Sequence, residues 1–163
     1  MSNIVPIKTK KETLQASEKK WGRQVMKVGF NIVPSIIFKA QQRLGLTSQQ
    51  LVVLLHLSDY WWDANRDPWP SVTTLAARMG LSRRQVQKII ADLETAGLVK
   101  RVERTAKHKG KLSNAYDLSG LVKKLKELAP EFLEADKQAQ TLQKEVETPV
   151  RLRTKKKKAK SDE

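Results

Sequence analysis

The sequence predicts a mainly α-helical fold that carries one small β-hairpin. Three observations lead there. Apolar residues recur at spacings of three and four on both sides of Gly80. Two short apolar segments flank a Lys- and Gly-containing loop at 105–111. A long apolar seam begins beyond Ser119.

The stretch around Gly80 organises the rest. Ser71 is a natural N-cap, and after it Val72, Leu75, Ala76 and Met79 share one helical face. Gly80 can take the left-handed backbone that ends a helix. Ser82 caps a second helix, whose stripe is Val86, Ile89, Ile90 and Leu93, and Gly97 closes it. Two short helices joined by a tight glycine turn make a helix-turn-helix, and the small Ala76 stands where the second helix approaches the first. With the buried stripe set aside, Ser82, Arg83, Arg84, Gln87 and Lys88 face outward near the N-terminal end of the second helix. That end enters the major groove of duplex DNA in this motif. Arginine pairs bidentately with guanine and glutamine with adenine, so the face suits the reading of base edges.

At these residues the sequence resembles the winged helix-turn-helix family of plasmid and phage replication proteins and mobile-element transcriptional regulators. The similar features are Trp69-Pro70-Ser71, Leu75-Ala76, Met79-Gly80-Leu81-Ser82-Arg83, Val86 and the ending Leu93-Glu94-Thr95-Ala96-Gly97-Leu98-Val99. The resemblance covers roughly residues 28 to 118 and implies DNA binding without naming an operator.

Charge points the same way. Lys and Arg number 32 against 17 Asp and Glu, a formal net charge of +15 that favours a polyanionic partner. The excess is concentrated. Residues 1–20 hold five Lys and two Glu (+3), residues 99–111 six Lys/Arg and one Glu (+5), and residues 151–163 seven Lys/Arg and two acids (+5). Residues 117–149 hold five Lys and seven acids (−2) and are expected to face protein or solvent. Cysteine is absent, which excludes disulfides and thiolate metal sites. The longest apolar run, Leu51 to Leu55, is far short of the roughly 20 residues a membrane span requires, and polar residues follow Ile7 where a signal peptide would be apolar. The expectation is a soluble, cytoplasmic, nucleoid-associated protein of bacterial origin with no cofactor.

Along the chain, residues 1–20 read as a flexible basic arm, and residues 21–118 as the DNA-binding domain. Val28, Phe30 and Ile32 alternate with Gly29 and Asn31 in a half-buried extended segment ending at Pro34. Ser35 can cap a short helix that closes near Gly45. Thr47 or Ser48 can cap the next, about 48 to 62, whose Leu51, Val52, Leu54, Leu55 and Leu57 fill the core. His56 among them reads as a structural imidazole with no metal role. Asp59, Asp63 and Asp67 recur every four residues, but Asn65-Arg66-Asp67-Pro68 reads as a loop, so solvated loop charge is preferred to a cation site. Tyr60, Trp61, Trp62 and Trp69 bracket that loop. They could stack on unpaired bases, but pinning the loop over a small core is the favoured use.

Past Gly97, Leu98, Val99 and Val102 on one segment and Tyr116 and Leu118 on another form the hairpin, the wing. Its tip, with Lys107, His108, Lys109 and Lys111, can follow the DNA backbone or reach the minor groove. Residues 119–148 read as a helical segment capped by Ser119. Leu121, Leu125, Leu128, Phe132, Ala135, Ala139, Leu142 and Val146 form a heptad seam suited to a homodimer, and Pro130 is expected to divide it into two helices. Residues 149–163 read as a disordered basic tail in which Arg151, Arg153, Lys155, Lys156, Lys157 and Lys158 meet phosphate.

These residues predict a sequence-specific double-stranded DNA-binding protein that regulates transcription for a mobile element or its host. Binding a plasmid or phage replication origin or partition site is the nearest alternative, and a protein-interaction scaffold built on the seam is the alternative of another class. No glycine-rich phosphate loop is present and the only imidazoles are His56 and His108, so no enzyme is expected.

Overall fold

A computed structural model describes residues 10–106 and 110–147. The chain divides into two units at Glu127, and Lys8–Glu127 holds the hydrophobic core.

Helix α1 spans Lys10–Trp21 and α2 spans Arg23–Val28, separated by Gly22 at φ 88°. The second half of the expected flexible arm is therefore helical. The alternation from Val28 to Ile32 does not bury its apolar side: Val28 is 91% and Ile32 82% exposed. Asn31 does the joining instead, donating from Nδ2 to the Leu55 carbonyl and accepting from the Ser58 hydroxyl. Hydrogen bonding to a helix fixed this segment, not hydrophobic periodicity.

The short helix α3, Ile36–Lys39, buries Ile37 and runs into a turn that closes at Gly45. Helix α4, Ser48–Asp59, begins with a capping box. The Gln50 amide N–H donates to Thr47 Oγ1 at 3.3 Å, and the Thr47 amide N–H donates to Gln50 Oε1 at 2.9 Å. Its buried residues are Val53, Leu54 and Leu57, while Val52 is partly exposed. The expected stripe thus contained Leu54 and Leu57 but set Val52 inward where Val53 belongs. Five consecutive apolar residues leave the inward face ambiguous until the partner helix is known.

Helices α5, Val72–Met79, and α6, Arg83–Thr95, complete the core layer. Leu75 and Ala76 are buried on α5, and Val86, Ile89, Ile90 and Leu93 on α6. Ser71 Oγ accepts from the Thr74 amide at 3.0 Å, and α5 ends on Gly80 in the left-handed region at φ 64°. There both the Gly80 and Leu81 amides donate to the Ala76 carbonyl. A residue with a Cβ would be strained at that φ, so glycine is what permits the tight joint. Arg78 of α5 ties back to α4: it pairs with Asp59 at 3.2 Å and its guanidinium lies 4.8 Å from the Tyr60 ring centroid.

Strand β1, Lys100–Val102, pairs antiparallel with β4, Ala115–Asp117, in the register Arg101 opposite Tyr116. The hairpin continues outward as β2, Thr105–Ala106, against β3, Gly110–Lys111. On the far side of β4, the Tyr116 amide donates to the Pro68 carbonyl at 2.9 Å. Proline offers only an acceptor, and here only an acceptor is needed. Tyr116 is 1% exposed, and burial pushes its hydroxyl above the usual range.

Helix α7 spans Ser119–Glu147 with Pro130 inside it. The expected division at Pro130 does not occur. The missing N–H frees the Lys126 carbonyl, and both Lys126 and Pro130 are exposed, so water can take up that carbonyl. Nor does Ser119 cap the helix. It is the first helical residue, and its amide donates to Asp117 Oδ1 at 2.7 Å, a bond that holds the Asp117 carboxyl below the usual range. Leu121 is 6% exposed within the core and Leu125 packs against it, so the first two positions of the expected dimer seam serve the domain's own packing. No helix among the described residues is long and apolar enough to cross a membrane.

Candidate nucleic-acid interface

The site begins at the joint between α5 and α6. Ser82 caps α6 through a second capping box: the Gln85 amide donates to Ser82 Oγ at 3.2 Å, and the Ser82 amide donates to Gln85 Oε1 at 2.9 Å. The Ser82 hydroxyl also donates to Gln85 Oε1 at 2.9 Å, so the side chain is engaged within its own helix.

At 100° per residue, the four buried residues of α6 define one side, and Arg84 and Lys88 lie opposite it. Gln87 stands beside them, and Arg83 is at the edge of the same face. All four are exposed. Arg83, Arg84 and Gln87 sit in the first turn and a half of the helix, their side chains without hydrogen bonds or ion pairs among the described residues. Lys88 is held along the helix by Asp92, Nζ to Oδ2 3.1 Å. The face therefore presents two planar guanidiniums and one amide as uncommitted hydrogen-bonding groups.

The hairpin is fastened to this helix by a pair that sequence reasoning missed. The Arg101 amide donates to Glu94 Oε1 at 2.7 Å, and Arg101 Nε donates to Oε2 at 2.6 Å. One carboxylate thus fixes both the backbone and the side chain of β1 to the last turn of α6. The Arg101 hydrogen bond holds the Glu94 carboxyl below its usual range, against a smaller opposing effect of burial. The sequence signal was present as an acid seven residues before an arginine across Gly97, but only the turn geometry makes that spacing a contact.

Because the folded carboxyl titrates lower than the unfolded one, the pair stabilises the fold above the ordinary glutamate range. That contribution is lost as pH falls through the depressed value. Glu94→Gln is expected to flatten the acid side of the stability profile and to cost no more than about 1 kcal/mol at neutral pH, because both side chains keep solvent contact. Thermal unfolding from neutral to acidic pH checks this. A profile identical to wild type would assign the acid dependence to Asp117 instead.

Lys107, His108 and Lys109 at the wing tip, and Arg151, Arg153 and Lys155 to Lys158 in the tail, lie outside the described residues. Lys111 is in β3. On α7, Leu128 and Phe132 are half-buried, while Leu142 is 63% and Val146 67% exposed. The three aspartates do not converge: Asp59 pairs with Arg78, and Asp63 Oδ1 accepts from the Asn65 amide at 2.9 Å as a loop-forming contact. Of the four loop aromatics, Trp61 packs against the core, whereas Trp62 is 76% and Trp69 42% exposed. The pinning of the loop therefore falls to fewer rings than expected.

Comparison with known proteins bears on the same elements. Residues 44–99, about a third of the chain, match a family model described as a helix-turn-helix domain. No curated protein matches the chain. Among solved structures, the chain is similar to the N-terminal domain of DnaD protein from Geobacillus kaustophilus HTA426. The identity is 22%, covering 82% of this chain and 99% of that one, with a TM-score of 0.47. It is also similar to a mutant form of MepR from S. aureus, at 15% identity, 95% and 96% coverage and TM-score 0.40. A MarR-family transcriptional regulator from Rhodococcus sp. RHA1 matches at 18% identity, 93% and 92% coverage and TM-score 0.38. Residues 44–99 are thus similar to a helix-turn-helix domain, with α5 and α6 joined at Gly80, and the β1–β4 hairpin that follows them is fastened to α6 at Glu94.

Proposed function

We propose that this chain is a sequence-specific double-stranded DNA-binding protein that regulates transcription for a mobile element or its host. The observation that carries the reading is the outward face of α6, where Arg84 lies opposite the buried stripe, Gln87 stands beside it and Arg83 is at the edge, all three side chains uncommitted. Arginine and glutamine have the donor and acceptor geometry to read guanine and adenine in the major groove. The wing follows the backbone with Lys107, His108, Lys109 and Lys111, and Arg151, Arg153 and Lys155 to Lys158 add nonspecific attraction to phosphate.

The reading includes a homodimer through α7. Leu121 and Leu125 belong to the domain core, so the seam is the remainder, from Leu128 through Phe132, Ala135, Ala139 and Leu142 to Val146. A stripe of that length left in water would be unfavourable, and a second copy covers it. A dimer presents two recognition helices to half-sites about one helical turn, ~34 Å, apart.

Mapping the DNA segments bound in cells at nucleotide resolution tests both parts. Protected sequences at promoters, arranged as paired half-sites at that spacing, are the expected result. Peaks confined to a replication origin would replace the regulatory role with the replicative one. Single unpaired sites would remove the dimer.

A further inference from the structure

We propose that Arg66, Trp69 and Arg104 form a phosphate-binding platform at the root of the wing, which grips the backbone of the same duplex that α6 reads. The proposal rests on the DNA-binding reading above and adds a second, sequence-independent contact surface to it.

Trp69 lies in an extended segment between two buried prolines. Pro68 is tied to β4 through its carbonyl and Pro70 precedes the α5 cap, so the alternation turns Trp69 outward. The ring is 42% exposed, a large apolar surface to leave in water. Two cations lie against it. The Arg66 guanidinium carbon lies 4.9 Å from the ring centroid and that of Arg104 lies 4.8 Å from it. One comes from the loop before α5 and the other from the hairpin just past β1. The contact thus joins two elements that flank the reading helix.

A guanidinium carries its donors in its own plane and is weakly hydrated. Held over an aromatic ring, it keeps a fixed orientation with N–H groups available to bidentate oxygen acceptors such as a phosphodiester. Two cations gathered on one ring also repel each other, and an anion bound beside them offsets that repulsion. The same occupancy argues against the other use of an exposed tryptophan beside DNA. A ring with two guanidiniums against it offers an unpaired base less open aromatic face than a free one. The platform therefore takes the phosphates of a duplex.

The experiment measures the affinity of the full-length protein for its mapped duplex, for an unrelated duplex and for an unpaired strand across a series of salt concentrations. Wild type is compared with Arg66→Gln plus Arg104→Gln, with Arg66→Gln alone, and with Arg84→Ala. The double variant is expected to lose affinity for both duplexes by the same factor and to flatten the salt dependence by about 0.9 in slope for each phosphate released. Preference between the duplexes stays at the wild-type ratio. Arg66→Gln, which changes only an exposed loop residue, carries the test if Arg104 proves necessary for folding; its slope falls by about half as much. Arg84→Ala does the reverse, losing preference with a smaller change in slope. An unchanged salt slope with sequence preference intact overturns the platform alone. Loss confined to the unpaired strand overturns it in favour of base stacking. A wild-type protein with no affinity for duplex DNA overturns the DNA-binding reading and the platform together.

Discussion

Gly120→Ala is expected to lower the thermal midpoint of the domain by roughly 5–10 °C, the equivalent of about 1–2 kcal/mol. The first turn of α7 packs directly on the turn that ends α6. A Cβ built at Gly120 would collide with the Gly97 carbonyl oxygen and lie 3.2 Å from the carbonyl carbon. Both are backbone atoms, so no side chain can swing aside. The Leu121 amide donates to the Leu98 carbonyl at 3.0 Å, which fixes the two segments at that separation. Helix propensity alone favours alanine over glycine by up to about 1 kcal/mol, and the clash must exceed that gain for the variant to be weaker. Displacing a backbone carbonyl that sits between α6 and the wing does exceed it. Gly97→Ala is the informative comparison. Gly97 has open space around its missing Cβ but a φ of 68°, so its cost is the roughly 1–2 kcal/mol of a left-handed conformation rather than a collision. Thermal unfolding followed by circular dichroism measures both variants. A Gly120→Ala midpoint equal to or above wild type would show that the α7 start can lift off the turn without cost.

Gly120 also shows why part of this molecule cannot be read from the sequence. Nothing within four residues of it announces a close approach, because the atom it must avoid is 23 positions away. The joint between α5 and α6 is the opposite case. Ser71, Ser82 and Gln85, and Gly80 each act on backbone within a few residues, so cap and turn chemistry alone places both ends of α5 and the start of α6. The stripe of α6 reads correctly for the same reason: Val86, Ile89, Ile90 and Leu93 are apolar, and the polar residues between them leave one possible inward face.

Where local chemistry is degenerate, the tertiary partner decides. In α4 the run from Leu51 to Leu55 has no polar residue to mark the outside, and Val53 rather than Val52 turns inward. The alternation from Val28 to Ile32 resembles a half-buried strand, but among the described residues no strand pairs with it, and Asn31 bonds to α4 instead. In α7 one periodic seam meets two environments. Its first two positions close the domain core, and the shift from buried Leu121 to exposed Leu142 and Val146 has no counterpart in the residue pattern. The candidate interface divides in the same way. Its outward polar residues on α6 follow from helix periodicity, whereas the Glu94–Arg101 fastening and the Arg66–Trp69–Arg104 cluster arise from residues brought together by the hairpin.

Arg84→Ala is expected to reduce preference for the mapped DNA site over a scrambled duplex by about 5- to 150-fold, the ~1–3 kcal/mol of one bidentate contact to guanine. Arg84 lies near the middle of the outward face of α6, directly across from the buried stripe, and within its first turn. Arg83 lies at the edge of the face on the same side as Glu94, where the wing is fastened. A helix lying in the major groove meets base edges along the middle of its outward face and sugar-phosphate along its margins. Arg83→Ala should therefore weaken binding to both duplexes more evenly than Arg84→Ala, and the double variant should lose both affinity and preference. Neither substitution touches the core, so each thermal midpoint should stay within the small change typical of exposed positions, about 0.5 kcal/mol. That separates a lost contact from a lost fold. Competition binding with labelled site and unlabelled scrambled duplex measures the preference directly. Full preference retained in both single variants and in the double variant would mean that the outward face of α6 does not read the bases, and the recognition surface would have to be sought elsewhere on the domain.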